Sequence, residues 1–349
     1  MQQFTGRMKI LGIVYLLAIL ATIASCSHSV KPLPSSGKKQ VLSPKLQFCM
    51  KEMVTDIAIS ASGRLVAGSG HKGSIFLWDM RTGRLIRILK AHKDQVFKVA
   101  FSPDGSLMAS CDCGDNLMLW DIRTGKLLLR TKGAMWGLAF SPKGDLLIGR
   151  NEDAINIWKV HPWRLIKTIR SPIDVVSGIA VSRDGRLVVS ADGKGKKLTI
   201  WNIYTGKVER TFAKIGSRCF GFSPDGLHLA SVGGHNTVKL WNISKSRLPV
   251  FTTKYGEIGV VSSLAFSPDG KMIAIAVRVR GEDGYKLWHS GGLVILQDAA
   301  TGNVLQVIRI KNPVEDVVFF RDSKTLAASI ASFGKINVYR VDGIITENQ

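Results

Sequence analysis

The chain of 349 residues carries 48 Lys and Arg against 26 Asp and Glu, a formal net charge of +22, and 45% of its residues are hydrophobic. That apolar content excludes a disordered polyelectrolyte, and five cysteines are too few for a disulfide scaffold. About 300 residues beyond the N-terminal segment suffice to bury a large core, and the cationic excess points to anionic partners.

Arg7 and Lys9 precede an apolar run from Ile10 to Ile23. The run is shorter than the roughly 20 residues needed to span a bilayer, so residues 1–25 are expected to be a secretory signal peptide. Its end, Ile23-Ala24-Ser25-Cys26, resembles the lipobox of bacterial lipoproteins, in which the cysteine takes a diacylglyceryl thioether and becomes the mature N-terminus. The resemblance implies lipidation at Cys26 and a membrane-anchored, periplasm-facing place in the cell envelope. Ser27 rather than Asp after the cysteine implies the outer membrane where there are two. Residues 26–45 lack apolar periodicity and are rich in Ser, Pro and Lys. They are expected to be a disordered tether, averaging about 25 Å.

From residue 46 to the end, two signals recur in phase. Turns read ISASG at 59–63, FSPDG at 101–105, FSPKG at 140–144, VSRDG at 181–185, FSPDG at 222–226 and 266–270, and a worn FFRDS at 319–323. Each is followed by a tract ending in a Trp-Asp-like pair: FLWD at Asp79, MLWD at Asp121, NIWK at Lys159, TIWN at Asn202 and KLWN at Asn242. The last two, ILQD at Asp298 and NVYR at Arg340, have lost the Trp. In the second copy Val99, Phe101, Leu107, Ala109, Leu117 and Leu119 mark short strands between turn residues. Pro-Asp-Gly closes the first strand to the second, and Thr-Gly at 82–83, 124–125, 205–206 and 301–302 closes the third to the fourth. A four-stranded unit of this size cannot bury both faces alone, so neighbours must stack.

These motifs resemble the WD-repeat β-propeller family, and the resemblance covers roughly residues 45–343. It implies an all-β fold, a seven-bladed β-propeller of four-stranded antiparallel blades, acting as a monomer. In that ring Leu46–Met50 completes the last blade, and Trp78, Trp120, Trp158, Trp201 and Trp241 are buried between blades. Residues 277–290 read as an insertion between the second and third strands of blade six. In the family's best-formed blades a His, a Ser, an Asp in the following turn and the Trp form a buried hydrogen-bonded set. Blade two offers His92, Ser110 and Trp120, but Gly114 stands where the Asp is expected, flanked by Asp112 and Asp115, so the set is expected to be incomplete. Blades six and seven, with Gln297 and Tyr339 at the Trp position, are expected to be looser or adapted as terminal blades.

Candidate chemistry is sparse. Cys111-Asp112-Cys113 is not a CxxC motif, the histidines have no metal-ligand spacing, and no nucleophile elbow appears, so neither metal nor cofactor is expected. The Asp-x-x-Thr-Gly turns also occur in quinone-cofactor dehydrogenase propellers, but those carry a Trp four residues after the Gly, where this chain has Arg87, Leu129, Arg210 and Gln306.

Charge is better placed. Connections from each fourth strand to the next first strand share one face and carry Lys90, Lys93, Lys132, Arg170, Lys214, Lys254 and Lys311. The first strands open at the mouth of the central channel with Asp56, Phe97 and Lys98, Trp136, Ser177, Arg218, Ser262, and Glu315 and Asp316. Phe97 and Trp136 beside Lys98 and Arg218 form an apolar anchor in a polar surround, and Trp288 in the insertion extends that face. The reading is a lipid-tethered docking platform for a protein partner, acidic in character, or for anionic envelope lipid, with nucleic acid disfavoured. The alternative is a propeller enzyme or small-ligand binder using the channel mouth.

Overall fold

The Ser-Pro-Asp-Gly segments fold as tight turns because the serine, as well as the proline and glycine, holds them. The computed structural model describes residues 43–151, 154–170, 176–192, 197–213, 219–244, 249–280, 291–330 and 334–341. In it Ser60, Ser102, Ser141, Ser182, Ser223 and Ser267 are buried. Each hydroxyl accepts the backbone N–H five residues on at 2.9–3.0 Å. The glycine three residues after each serine has φ between +71° and +76°, a backbone that costs glycine no Cβ clash. In the worn seventh copy Ser323 adopts φ +56° and Asp322 accepts the N–H groups of Lys324 and Thr325 at 2.9 and 2.8 Å. The turn survives the loss of its motif.

At the other turn, Asp79, Asp121 and Asp298 accept the N–H of Thr82, Thr124 and Thr301 at 2.9, 2.6 and 2.7 Å. Both turns sit at the same end of each blade. Seven four-stranded antiparallel sheets result. Blade two runs from its inner strand Val96–Phe101 through Leu107–Asp112 and Asn116–Asp121 to the outer strand Leu127–Lys132. Each blade's inner strand contacts the next around the ring, and the seventh, Val314–Phe319, contacts the first, Val54–Ile59. Leu46–Cys49 pairs antiparallel with Lys335–Arg340, Phe48 opposite Ile336, and so supplies the outer strand of blade seven as expected. Such closure covers an edge that would otherwise template further pairing.

The core lies in seven layers, one between each pair of neighbouring blades. The closing layer joins Phe48 and Met50 to Val54, Trp78, Ile336 and Val338. No blade has a core of its own, which is the physical reason the repeats must stack. Trp78, Trp120, Trp158, Trp201 and Trp241 are all buried in these layers.

Three expectations are corrected here. The buried set in blade two is complete, because Asp112 takes the place the sequence assigned to residue 114. Asp112 ends the second strand, and its carboxylate reaches around the turn to accept His92 Nδ1–H at 2.8 Å and the N–H groups of Gly114 and Asn116 at 2.9 and 3.0 Å. The worn blade six has the longest strands of the ring, with Gly259–Phe266 and Met272–Val279 of eight residues each, and Ile273, Ile275, Ile295, Leu296 and Ile308 within it are fully buried. Aliphatic packing replaces the motif instead of leaving the blade loose. The second strand also reaches Val279, with Val277 opposite Leu293 and Arg278 opposite Gly292, so the insertion begins at 280 and not at 277.

Candidate interaction site at the channel mouth

Inner strands would point alternate residues into the channel, but five of them carry a β-bulge or irregularity at their start: in blade four the register shifts between Val176 and Ile179, and four others share one pattern. The register shifts between Val54 and Asp56, Val96 and Lys98, Val261 and Ser263, and Val314 and Asp316. A bulge inserts one unpaired residue and re-aims its side chain. The extra residues are Thr55, Phe97, Ser262 and Glu315. The sequence reading found three of these and chose Asp56 in blade one, one residue late. The hydroxyls of Thr55 and Ser262 donate to the carbonyls of Val96 and Val314 on neighbouring blades, stitching the ring at its inner edge.

The residue after each bulge turns toward a neighbouring blade. Asp56 is 2% exposed and accepts Val99 N–H of blade two at 2.9 Å together with the Lys98 ammonium. Burial pushes the Asp56 carboxyl up to about 7 against the pull of Lys98, and the like charge of Asp316 adds to the rise. For Lys98 burial favours the neutral amine, but Asp56 beside it and Asp316 further off outweigh that and hold it above its ordinary value. Asp316 accepts the Ser263 hydroxyl of blade six and Val317 N–H at 2.9 Å. Glu315 pairs with Arg278 of blade six; burial raises its carboxyl above the usual range despite that guanidinium. Lys98 is therefore committed to Asp56 and is not the available cation that the sequence suggested.

Phe97 and Trp136, on adjacent blades, do meet. Their ring centroids lie 6.1 Å apart at 67°, an edge-on contact, and both remain partly exposed. The Arg150 guanidinium carbon sits 4.6 Å from the centre of the Trp136 ring, with Arg150 itself 1% exposed and donating to Asn151 O at 3.2 Å. The aromatic pair thus packs between blades and still faces the mouth. Arg150 was missed, although an Arg closing the otherwise apolar second strand Leu146–Arg150 was a visible oddity.

On the surrounding face Lys90, Lys93, Lys132, Arg170, Lys254 and Lys311 are exposed as expected. Lys214, Ser177 at the side-chain level, Arg218, Trp288 and Cys26 lie outside the described residues. Among the described residues, no three His, Cys, Asp or Glu side chains converge as a metal site would require, and Cys49, Cys111 and Cys113 are free thiols.

Comparison with known proteins agrees with the geometry. The family model for the WD domain, G-beta repeat, matches residues 45–79, 83–121 and 207–242. WD repeat and SOCS box-containing protein 1 of Danio rerio is 31% identical over 109 residues, 30% of this chain and 25% of that protein. Apoptotic protease-activating factor 1 of Homo sapiens is 28% identical over 211 residues, 45% of this chain and 16% of that protein. The transcriptional corepressor LEUNIG_HOMOLOG of Arabidopsis thaliana is 25% identical over 241 residues, 68% of this chain and 30% of that protein. The chain thus spans less than a third of the length of these relatives. A solved structure described as that of U3-55K superposes with a TM-score of 0.73 at 17% identity, covering 85% of this chain and 100% of its own. Blade count, strand order and the matched repeats agree on the fold: the chain is an all-β seven-bladed propeller of four-stranded antiparallel blades, similar in its matched repeats to the WD domain, G-beta repeat.

Proposed function

We propose that this chain is an exported, lipid-anchored propeller that serves as a docking platform for a protein partner in the bacterial cell envelope. WD40 propellers are typically protein-interaction scaffolds, and the observation that carries the reading is the Phe97–Trp136 pair, held edge-on, backed by Arg150 and left partly exposed at the mouth. A preformed aromatic anchor loses little freedom on binding, and such anchors dominate interface energies. The exposed cations of the connections would draw an acidic partner toward it over about 10 Å at 0.1 M salt. Lys98 pairs with Asp56 and Arg278 with Glu315, which favours a rigid rim over a reacting centre. The anchor is supported by the apolar run ending at Cys26, since only a thiol can take the thioether.

A photo-crosslinking residue in place of Trp136, in cells, tests the docking site, with one in place of Arg123 beside a Thr-Gly turn as the control. Capture from Trp136 and not from Arg123, reduced at least tenfold by Phe97→Ala, is the expected result. Equal capture from both positions would reduce the surface to unspecific basicity. The anchor is tested by Cys26→Ala, which should abolish incorporation of labelled lipid.

A further inference from the structure

The outer strands of blades one to six each carry a bulge directly after the residue that pairs with the motif position. The unpaired residues are Ile86, Leu128 and Ile166 in blades one to three, then Glu209, Val250 and Leu305. In the first three blades the bulge residue and its predecessor are both aliphatic and exposed: Leu85 and Ile86 at 46% and 45%, Leu127 and Leu128 at 37% and 53%, Leu165 and Ile166 at 53% and 45%. An exposed cation precedes each pair, Arg84, Lys126 and Arg164. No Asp or Glu occurs in 80–91, 122–133 or 159–170. The fold does not ask for this, because blade four carries Glu209 at the same bulge, and in blade six Val304 and Leu305 are not exposed. Three consecutive blades therefore present one repeated cation–aliphatic–aliphatic row at the outer rim, at the end where the Thr-Gly turns lie.

The described chain enters the propeller at that same edge. Leu46 opens the outer strand of blade seven, and a Cβ on Gly83 would lie 3.3 Å from its side chain, so the chain arrives one residue from Arg84. The geometry points to the rim of blades one to three as a seat for an anionic lipid bilayer, the aliphatic pairs entering the acyl boundary and the cations meeting lipid phosphates. It deepens the lipid-anchored reading above and rests on it for the presence of the bilayer. Apolar side chains flanked by cations, with acidic residues absent, are the composition of interfacial membrane contacts. A second copy of the chain fits poorly, since a two-fold contact would set the same cations against each other. So seated, the propeller turns its channel mouth away from the lipid.

The test uses the full chain with Cys26→Ser, which cannot take the thioether, so that seating is read apart from anchoring. Its partitioning onto vesicles of phosphatidylcholine alone or with one third phosphatidylglycerol is compared with that of the same chain carrying Ile86→Ser, Leu128→Ser and Ile166→Ser. Amide hydrogen exchange locates the contact. At least tenfold weaker partitioning of the triple variant at an unchanged melting temperature is expected, with vesicle-induced protection over 84–90, 126–132 and 164–170 that needs the anionic lipid. Protection spread equally over 249–254 and 304–310 overturns the proposal. So does unchanged partitioning of the triple variant, or a loss confined to self-association or to capture of a protein. Failure of the anchor reading is seen separately, as absence of lipid label on wild-type Cys26, and leaves these outcomes readable.

Discussion

Blades two and six hold their third strands by opposite means. In blade two the hydrogen bonds run one way: Trp120 Nε1–H to Ser110 Oγ at 2.8 Å, the Ser110 hydroxyl to His92 Nε2 at 2.7 Å, and His92 Nδ1–H to Asp112 at 2.8 Å. The carboxylate can only accept, so it fixes every donor upstream, in the neutral imidazole, including the hydroxyl rotor. Blade six has Ile275 where Ser110 stands and Gln297 where Trp120 stands, with isoleucine, leucine and valine filling the space. Blades four and five keep the Trp-to-Ser bond at 2.9 Å. Blades one and three have Gly68 and Gly149 there, and a Cβ would come within 3.2 and 2.9 Å of the Trp ring. The difference teaches that the repeat conserves a volume to be filled between blades, and that the polar chain is one filling among several.

The largest effect should come from emptying that volume in blade two. Trp120→Ala removes a buried ring and leaves Ser110 without its donor, and is expected to cost about 3–5 kcal/mol by chemical denaturation. Phe97→Ala and Trp136→Ala, partly exposed at the mouth, should cost well under half as much. Equal losses would show that the mouth aromatics belong to the core.

Asp112→Asn is the sharper cut, since it puts a second donor against His92 Nδ1–H. A cost of about 2–3 kcal/mol at pH 7 is expected, as for a buried hydrogen bond to a charged group. Burial of Asp112 works to raise its pKa, yet the bonds from His92 and Asn116 hold it below the ordinary value. With the folded pKa depressed, its stabilisation is present above the unfolded value near 4 and is lost as the pH falls through the folded one. The gap between wild type and variant should close in acid, below about pH 4. A gap that persists there would assign the cost to shape alone. Ile275→Ala in blade six should show no such pH dependence.

Turns and strand count were legible because their signals are local: Ser102 and Gly105, or Asp121 and Gly125, make their bonds within a few residues. The closing strand, read as Leu46–Met50 and found at Leu46–Cys49, was legible through the family resemblance, which implies that an N-terminal strand completes the last blade. Asp112 was not, because counting back from Trp120 assumes a turn of fixed length, whereas a side chain can reach around it. The mouth was read one residue off at Asp56, and the rim row was missed, for a shared reason. A bulge shifts the two-residue period of a strand without altering composition.

The polar inner ring behaves differently from the polar chain of blade two. Asp56 is pushed up to about 7, mainly by burial. Between about pH 4 and 7 the folded state then keeps a proton that the unfolded chain has released, so wild type loses stability as pH rises through that window. Asp56→Asn keeps an acceptor for Val99 N–H and lacks the titration. Its stability relative to wild type should climb by about 1–3 kcal/mol from pH 4 to pH 7. A flat difference would mean that Lys98 neutralises the carboxyl fully at every pH.

The smallest effect is expected where the motif has already gone. Gln297 is fully buried and donates from Nε2 to Thr253 Oγ1 at 2.6 Å and to Gly302 O. Its Oε1 is buried with no hydrogen-bond partner, and an orphaned buried acceptor costs about 1–3 kcal/mol. Gln297→Leu removes that acceptor along with the two donated bonds in a blade whose neighbours are already aliphatic, so gain and loss should nearly cancel, within about 1 kcal/mol. Thermal unfolding of the two proteins side by side measures it. A loss as large as that of Asp112→Asn would show that blade six also depends on a polar contact, and would remove the contrast between the two blades.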